Sequence, residues 1–91
     1  MSPRPDDLAV EELRNIGVVA GRQLRAVGIA TLGQLRAAGA VRAWTMARQA
    51  VPGVSVNALY AYEAALMDLP WGQVDNNMRA RLRRAAGLES E

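Results

Sequence analysis

Residues 13–39 read LRNIGVVAGRQLRAVGIATLGQLRAAG, and the placing of glycine and apolar residues in this stretch decides the fold. Asn15, Ile16 and Gly17 form a predicted turn between two helices. Asparagine tolerates a left-handed or turn conformation, and Gly17 permits φ > 0 at no steric cost. Ile16, as the apolar residue of the turn, is expected in the core. The segment therefore predicts a hairpin between short helices.

The residues after this turn predict two further helices. Ala20, Leu24 and Val27 recur at i, i+4 and i+7, which places them on one helical face. Gly28 is expected to end this helix as its C′ residue. Thr31 and Gln34 then form a predicted capping box, in which each side chain bonds the backbone N–H of the other. A helix-hairpin-helix-like core follows from this order.

The whole chain predicts an all-α fold of five to six short helices, with no strand alternation. The first helix is capped by Asp6 or Asp7 and runs to about Arg14. The second helix ends at Val27. The third and fourth span residues 32–39 and 40–50. The fifth is capped by Ser55 and continues to Met67, and the sixth spans residues 75–86. The fifth is apolar over much of its circumference, so we predict it to be central. The residues expected to be buried are Leu24, Leu35, Leu59, Leu66 and Leu82, with Met78 and Ala85 beside Leu82 on the last helix.

Two pairs of aromatic residues allow expectations about exposure. Tyr60 and Tyr62 lie two apart on one helix, so they cannot face the same way. We expect one to be buried and the other partly exposed, where it would suit a dimer contact. Trp44 and Trp71 are interpreted as core or lid residues and not as base-stacking platforms.

The composition narrows the function. The 91 residues suit a single domain, which we place at residues 8–87 between a flexible tail at 1–7 and a tail at 88–91. The sequence holds no histidine and no cysteine, which removes the commonest metal ligand and general base and all thiolate chemistry. We therefore predict no enzyme activity, no cofactor, no metal and no small-molecule substrate. With no membrane-spanning apolar run and no signal peptide, we expect a cytoplasmic protein.

The charges are unevenly distributed. No acidic residue occurs between Leu13 and Tyr62, a segment that carries six arginines. All 11 basic residues of the chain are arginines, whose planar guanidinium suits phosphate contacts. A genome rich in G and C would also produce an arginine bias. If these arginines share a face with the hairpin, DNA binding is favoured; if they scatter, a protein adaptor is favoured.

The hairpin is the candidate nucleic-acid site. Backbone N–H groups at a helix N-terminus attract anions, and Gly17 and Gly21 leave little bulk around them. Arg22 and Arg25 are expected on the solvent side with no acid nearby. The predicted contact residues are Asn15, Ile16, Gly17, Val18, Gly21, Arg22 and Arg25. The other interpretation is that this turn merely joins two helices, and the two valines at its tip offer a phosphate only backbone.

Several segments together resemble the C-terminal domain of the TfoX/Sxy family. They are residues 13–17 (LRNIG), 24–29 (LRAVGI), 31–32 (TL), 35–36 (LR), 52–57 (PGVSVN), 59–61 (LYA), 63–66 (EAAL), Trp71 and the closing Met78, Arg79 and Leu82. The resemblance covers about residues 8–87. It implies an all-α bacterial domain and a coactivator role in transcription of the DNA-uptake genes of natural competence. Family members with that role usually carry a separate N-terminal domain, whereas this sequence begins at the C-terminal one and is expected to be a stand-alone version.

The predicted function is thus regulatory binding without catalysis. The partner is either the DNA phosphate backbone, held weakly and without sequence preference, or a protein of the transcription machinery. The alternative is a protein-only adaptor or homodimerisation module without affinity for nucleic acid.

Overall fold

The computed structural model describes residues 4–88 of the chain. This part contains five α-helices. They are α1 (Val18–Arg25), α2 (Leu32–Ala38), α3 (Ala40–Ala50), α4 (Val56–Met67) and α5 (Asn76–Ala85). Short 3-10 helices at Val10–Glu12 and Trp71–Gln73 precede α1 and α5. Residues 4–88 contain no β-strand beyond one isolated bridge. The all-α prediction is confirmed, and the helix-hairpin-helix-like arrangement stays a prediction.

Helix α4 is central, as predicted, because it packs against α2, α3 and α5. Tyr60 and Tyr62 are both buried, so the expectation that one would be exposed is wrong. Different neighbours cover the two rings. The Tyr60 hydroxyl accepts a hydrogen bond from Arg83 of α5 at 2.8 Å, and the Tyr62 hydroxyl donates to Gln23 of α1 at 2.9 Å. Burial raises the pKa of Tyr62 to about 12.

Most of the predicted core residues are buried. Four of the five leucines, Leu24, Leu35, Leu59 and Leu82, are buried, and Leu66 is half-buried. Met78 joins them, but Ala85 is exposed, which corrects the predicted stripe on α5. Ala86, four residues after Leu82, packs against the core in place of Ala85. Trp44 is a core residue, as expected.

The first predicted helix is wrong: Asp6 and Asp7 cap nothing, and only a 3-10 turn follows them. The reason is a pairing with residues farther along the chain. Val10 N–H donates to the Ala30 carbonyl at 3.0 Å, and Leu32 N–H donates to the Leu8 carbonyl at 2.8 Å. A helix over residues 7–14 would need the same backbone groups for itself.

The described part of the predicted N-terminal tail is held to the domain. The Arg4 guanidinium donates to the carbonyls of Ala65 and Leu66 at 2.8 and 2.7 Å, near the end of α4. The Asp6 carbonyl accepts from Gly33 N–H at 2.8 Å. The flexibility of a tail over residues 1–7 stays a prediction. The remaining tail positions, residues 1–3 and 89–91, lie outside the described residues.

The ends of α2 follow the sequence closely. The Gln34 N–H donates to Thr31 Oγ1 and the Thr31 N–H donates to Gln34 Oε1, both at 3.2 Å, so the predicted capping box is present. At the other end, Gly39 alone joins α2 to α3 with φ 79° and ψ 158°. This backbone region is essentially restricted to glycine, so the one-residue link between the two helices depends on glycine at this position.

Candidate functional site

The predicted hairpin turn is fixed by contacts with the C-terminal end of α4. Asn15 has the left-handed conformation that the sequence suggested, with φ 73°, and Ile16 is buried in the core. The Asn15 side chain donates to the Leu69 carbonyl at 2.8 Å. Beside it, Arg14 pairs with the Asp68 carboxylate at 3.2 Å. We call these two contacts the turn brace.

Gly17 does not use the positive φ that glycine permits. Its φ of −97° and ψ of −161° are those of extended backbone, and it occupies the N-cap position of α1 without a side-chain cap. Asn15 provides the left-handed turn instead. Gly28 does have positive φ, and with Ile29 N–H bonded to the Leu24 carbonyl it ends the helix as expected.

Glu11 contacts both Gly21 and Arg25, two of the residues that were predicted to contact DNA. The Arg25 Nε and one terminal nitrogen each donate to a Glu11 carboxylate oxygen at 2.7 Å. This paired arginine lowers the pKa of Glu11 to about 2. The same carboxylate lies against Gly21, which is buried. The expectation that Arg25 has no acid nearby is therefore wrong.

The other arginines of the acid-free segment are divided among different surroundings. Arg14 pairs with Asp68, Arg36 with Asp6, and the Arg48 guanidinium lies 4.8 Å from the centre of the Trp44 ring. Arg22 and Arg42 are exposed and make no ion pair with any residue between 4 and 88. Acids from outside the segment thus neutralise three of its six arginines.

An apolar groove lies beside the turn at residues 15–17. It has a volume of about 530 Å³, within the ~300–1,000 Å³ of typical ligand sites. Val18, Val19 and Trp71 line it, and they are three of the five large apolar side chains that are exposed in the described residues. Val18 is 70% and Val19 68% exposed. The remaining lining residues are Asn15, Gly17, Ala20, Gln23, Ser55, Asn57, Ala58 and Ala61.

Ser55 contributes to this groove in a way that the sequence did not suggest. It stands at the N-cap of α4, but its side chain makes no capping hydrogen bond, contrary to expectation. Its carbonyl oxygen accepts a hydrogen bond from the buried Trp44 Nε1 at 2.9 Å. The start of α4 is thereby anchored to α3 through the backbone.

Trp71 is held at the groove by an arginine of α5. The Arg79 guanidinium carbon lies 5.5 Å from the centre of the Trp71 ring and 5.4 Å from that of Tyr60. Cation–π contacts at this separation are attractive. Trp71 is still 41% exposed, so its ring forms part of the groove wall and stays accessible.

The structure separates the predicted site residues into four sets. Asn15, Gly17 and Val18 line the groove, Ile16 and Gly21 are buried, and Arg25 is paired with Glu11. Arg22 is exposed but does not line the groove. Sequence reasoning missed Ser55, Asn57 and Trp71 as parts of one surface with the hairpin. The sequence signal that pointed to this surface was the pair Val18 and Val19 at the exposed tip, because two adjacent exposed valines indicate that another apolar group lies nearby.

Residues 4–88 contain neither a candidate metal site nor a candidate membrane-spanning helix. No three acidic side chains there lie together as a metal site would require. No helix in the same range has the length and apolar character needed to cross a bilayer.

A family model and a solved structure both match this chain. Residues 7–86 match the family model described as the TfoX C-terminal domain. A crystal structure of an uncharacterized protein from Listeria monocytogenes superimposes with a TM-score of 0.78 at 26% sequence identity. The alignment covers 91% of this chain and 99% of that one. No curated protein sequence matches the chain.

Proposed function

Since the chain belongs to the TfoX C-terminal domain family, we propose that it is a non-enzymatic regulatory domain that binds a protein partner through the apolar groove. The resemblance implies that this partner belongs to the transcription machinery of DNA-uptake genes. The observation that carries the proposal is the gathering of Val18, Val19 and Trp71 around one groove. Contiguous exposed apolar surface of this kind typically marks an interaction site.

The composition of the groove lining suits binding better than catalysis. The chain has neither histidine nor cysteine, and the groove lining contains neither carboxylates nor amines. Its polar lining groups are the amides of Asn15, Gln23 and Asn57 and the hydroxyl of Ser55. Such groups orient a bound segment by hydrogen bonds but are poor general acids and bases.

DNA contact is the second candidate, and one observation favours it. Arg22 is exposed, has no ion-pair partner in residues 4–88, and lies one turn after the open start of α1. Against it, Arg25 is held by Glu11 and two further arginines of the segment are paired. Binding through one arginine and a few N–H groups would be weak, with log K falling by only about 0.9 for each tenfold rise in salt.

Selection from a phage-displayed library of random sixteen-residue peptides tests the protein-binding function. Selected peptides should bind the parent and lose at least tenfold in affinity for the Val18→Ser/Val19→Ser variant. Both side chains are exposed, so the fold should be retained, as circular dichroism would check. Met67→Ser is the matched control, because Met67 is an exposed apolar residue outside the groove.

A DNA titration separates the two candidates. Fluorescence anisotropy with a twenty-base-pair duplex should detect no binding at physiological salt. Binding that weakens with salt, and whose salt slope falls by about one unit in Arg22→Ala, would replace the protein-binding function with phosphate contact. Sedimentation of the chain alone would reveal a homodimer, in which a second copy fills the groove.

A further inference from the structure

Two helices begin at the groove, and neither N-terminus is capped by a side chain. Gly17 and Ser55, the N-cap residues of α1 and α4, both line the groove and make no side-chain capping bond. Neither helix has an acidic residue in its first turn. By contrast, the N-caps of α2 and α5, Thr31 and Asp75, each accept a backbone N–H. The partial positive charges of α1 and α4 are thus left uncompensated at one place.

The first N–H groups of both helices remain available there. Those of Val18, Val19 and Ala20 in α1, and of Val56 and Asn57 in α4, meet no acceptor among the described residues. A helix N-terminus carries roughly half a unit of positive charge, which falls off within its first turn. Two such ends at one groove favour negative charge in whatever binds there.

The apolar walls restrict the chemistry of that negatively charged occupant. Val18, Val19 and Trp71 need apolar side chains against them to exclude water. A nucleic-acid backbone offers none, and no arginine lines the groove within residues 4–88 to hold its phosphates. A peptide that combines apolar residues with carboxylates satisfies both requirements.

We infer that the groove binds an acidic amphipathic segment of a partner protein, with apolar side chains against Val18, Val19 and Trp71 and carboxylates at the starts of α1 and α4. This inference rests on the proposed function and adds the chemistry of the partner to it. It also accounts for a groove that has two positive helix ends yet contains no acid of its own.

Asn57 and Asn77 provide a matched test. Each is the second residue of its helix and is exposed, but only Asn57 lines the groove. Aspartate in a first helical turn is favourable, so Asn57→Asp and Asn77→Asp should both fold at least as stably as the parent. Only Asn57→Asp adds negative charge to the groove.

Peptides from the random sixteen-residue library are the probe, and their net charge and affinities are the readouts. We expect enriched peptides to be net negative and apolar, to bind Asn57→Asp about tenfold more weakly, and to bind Asn77→Asp like the parent. Replacing their Glu and Asp by Gln and Asn should weaken binding to the parent and remove the difference between the variants.

Each other outcome overturns the inference in an identifiable way. Groove-dependent peptides that are neutral or basic, or that bind both variants like the parent, contradict the acidic partner but leave the protein-binding function standing. If no enriched peptide depends on Val18 and Val19, the proposed function fails as well. Duplex DNA that competes with the peptides and is sensitive to Asn57→Asp would assign the groove to phosphates.

Discussion

The carboxylate of Glu11 lies in the space that a side chain on Gly21 would occupy. A Cβ built on Gly21 would come within 2.5 Å of Glu11 Oε2, the same oxygen that accepts from Arg25 Nε. Glycine inside a helix is unfavourable by about 1 kcal/mol relative to alanine. Here its lack of a side chain lets a carboxylate from the preceding 3-10 turn reach across α1 to an arginine.

Gly21→Ala should therefore have an effect that depends on Glu11. In the parent, the gain in helix propensity is offset because the methyl group displaces Glu11 from Arg25. In a Glu11→Ala background, Gly21→Ala should raise the free energy of unfolding by about 1 kcal/mol. Urea denaturation of the four proteins gives the comparison. Equal effects in the two backgrounds would mean that Glu11 does not occupy this space in solution.

The Glu11–Arg25 pair also predicts a pH dependence. The pKa of Glu11 is about 2 in the folded protein, against an ordinary value of 4.5. A depressed folded-state pKa adds stability that is complete above 4.5 and is lost as the pH falls toward 2. Carbon-13 NMR titration of the Glu11 carboxyl should show the low pKa, and Arg25→Gln should return it toward 4.5. An unchanged pKa in that variant would contradict the pairing.

Leu59→Ala should reduce the free energy of unfolding by about 2–5 kcal/mol. Leu59 is fully buried on the central helix, so its removal leaves a cavity where neighbouring helices meet. Leu66→Ala on the same helix should be milder, because Leu66 is half-buried. Chemical denaturation measures both. Equal losses of stability in the two variants would contradict the central position of α4 in the core.

Asp68 ends α4 with a left-handed φ of 56°, a conformation that favours glycine. Asp68→Gly and Asp68→Ala both remove the exposed ion pair with Arg14, whereas only Asp68→Gly relieves the backbone. The glycine variant should be more stable than the alanine variant by about 1 kcal/mol. Thermal unfolding would compare them, and identical melting temperatures would argue against the left-handed helix end.

The parts of the fold that were predicted correctly are those set by neighbouring residues. The capping box of Thr31 and Gln34, the end of α2 at Gly39 and the span of α3 depend on residues a few positions apart. The prediction of the first helix was wrong because Leu8 and Val10 pair with backbone groups 24 and 20 residues later, a competition that local capping rules cannot reveal.

The candidate site was predicted less well, for the same reason. The absence of acids from Leu13 to Tyr62 suggested free arginines, but Glu11, Asp6 and Asp68 reach them from outside that segment. Val18 was placed correctly at the exposed tip. Its partner Trp71 comes from the turn after α4, and only the folded chain brings the two to one groove.

The turn brace has a consequence for the time course of folding. Arg14 and Asn15 bond to Asp68 and Leu69, 54 positions away in each case, so these contacts close a long loop. Contacts that close long loops tend to form after the short-range helical ones, and weakening late contacts chiefly accelerates unfolding. Loss of the Asn15 side chain should therefore shorten the lifetime of the folded state while the refolding rate stays nearly the same. We expect the turn at Asn15, although early in the sequence, to become fixed late in folding.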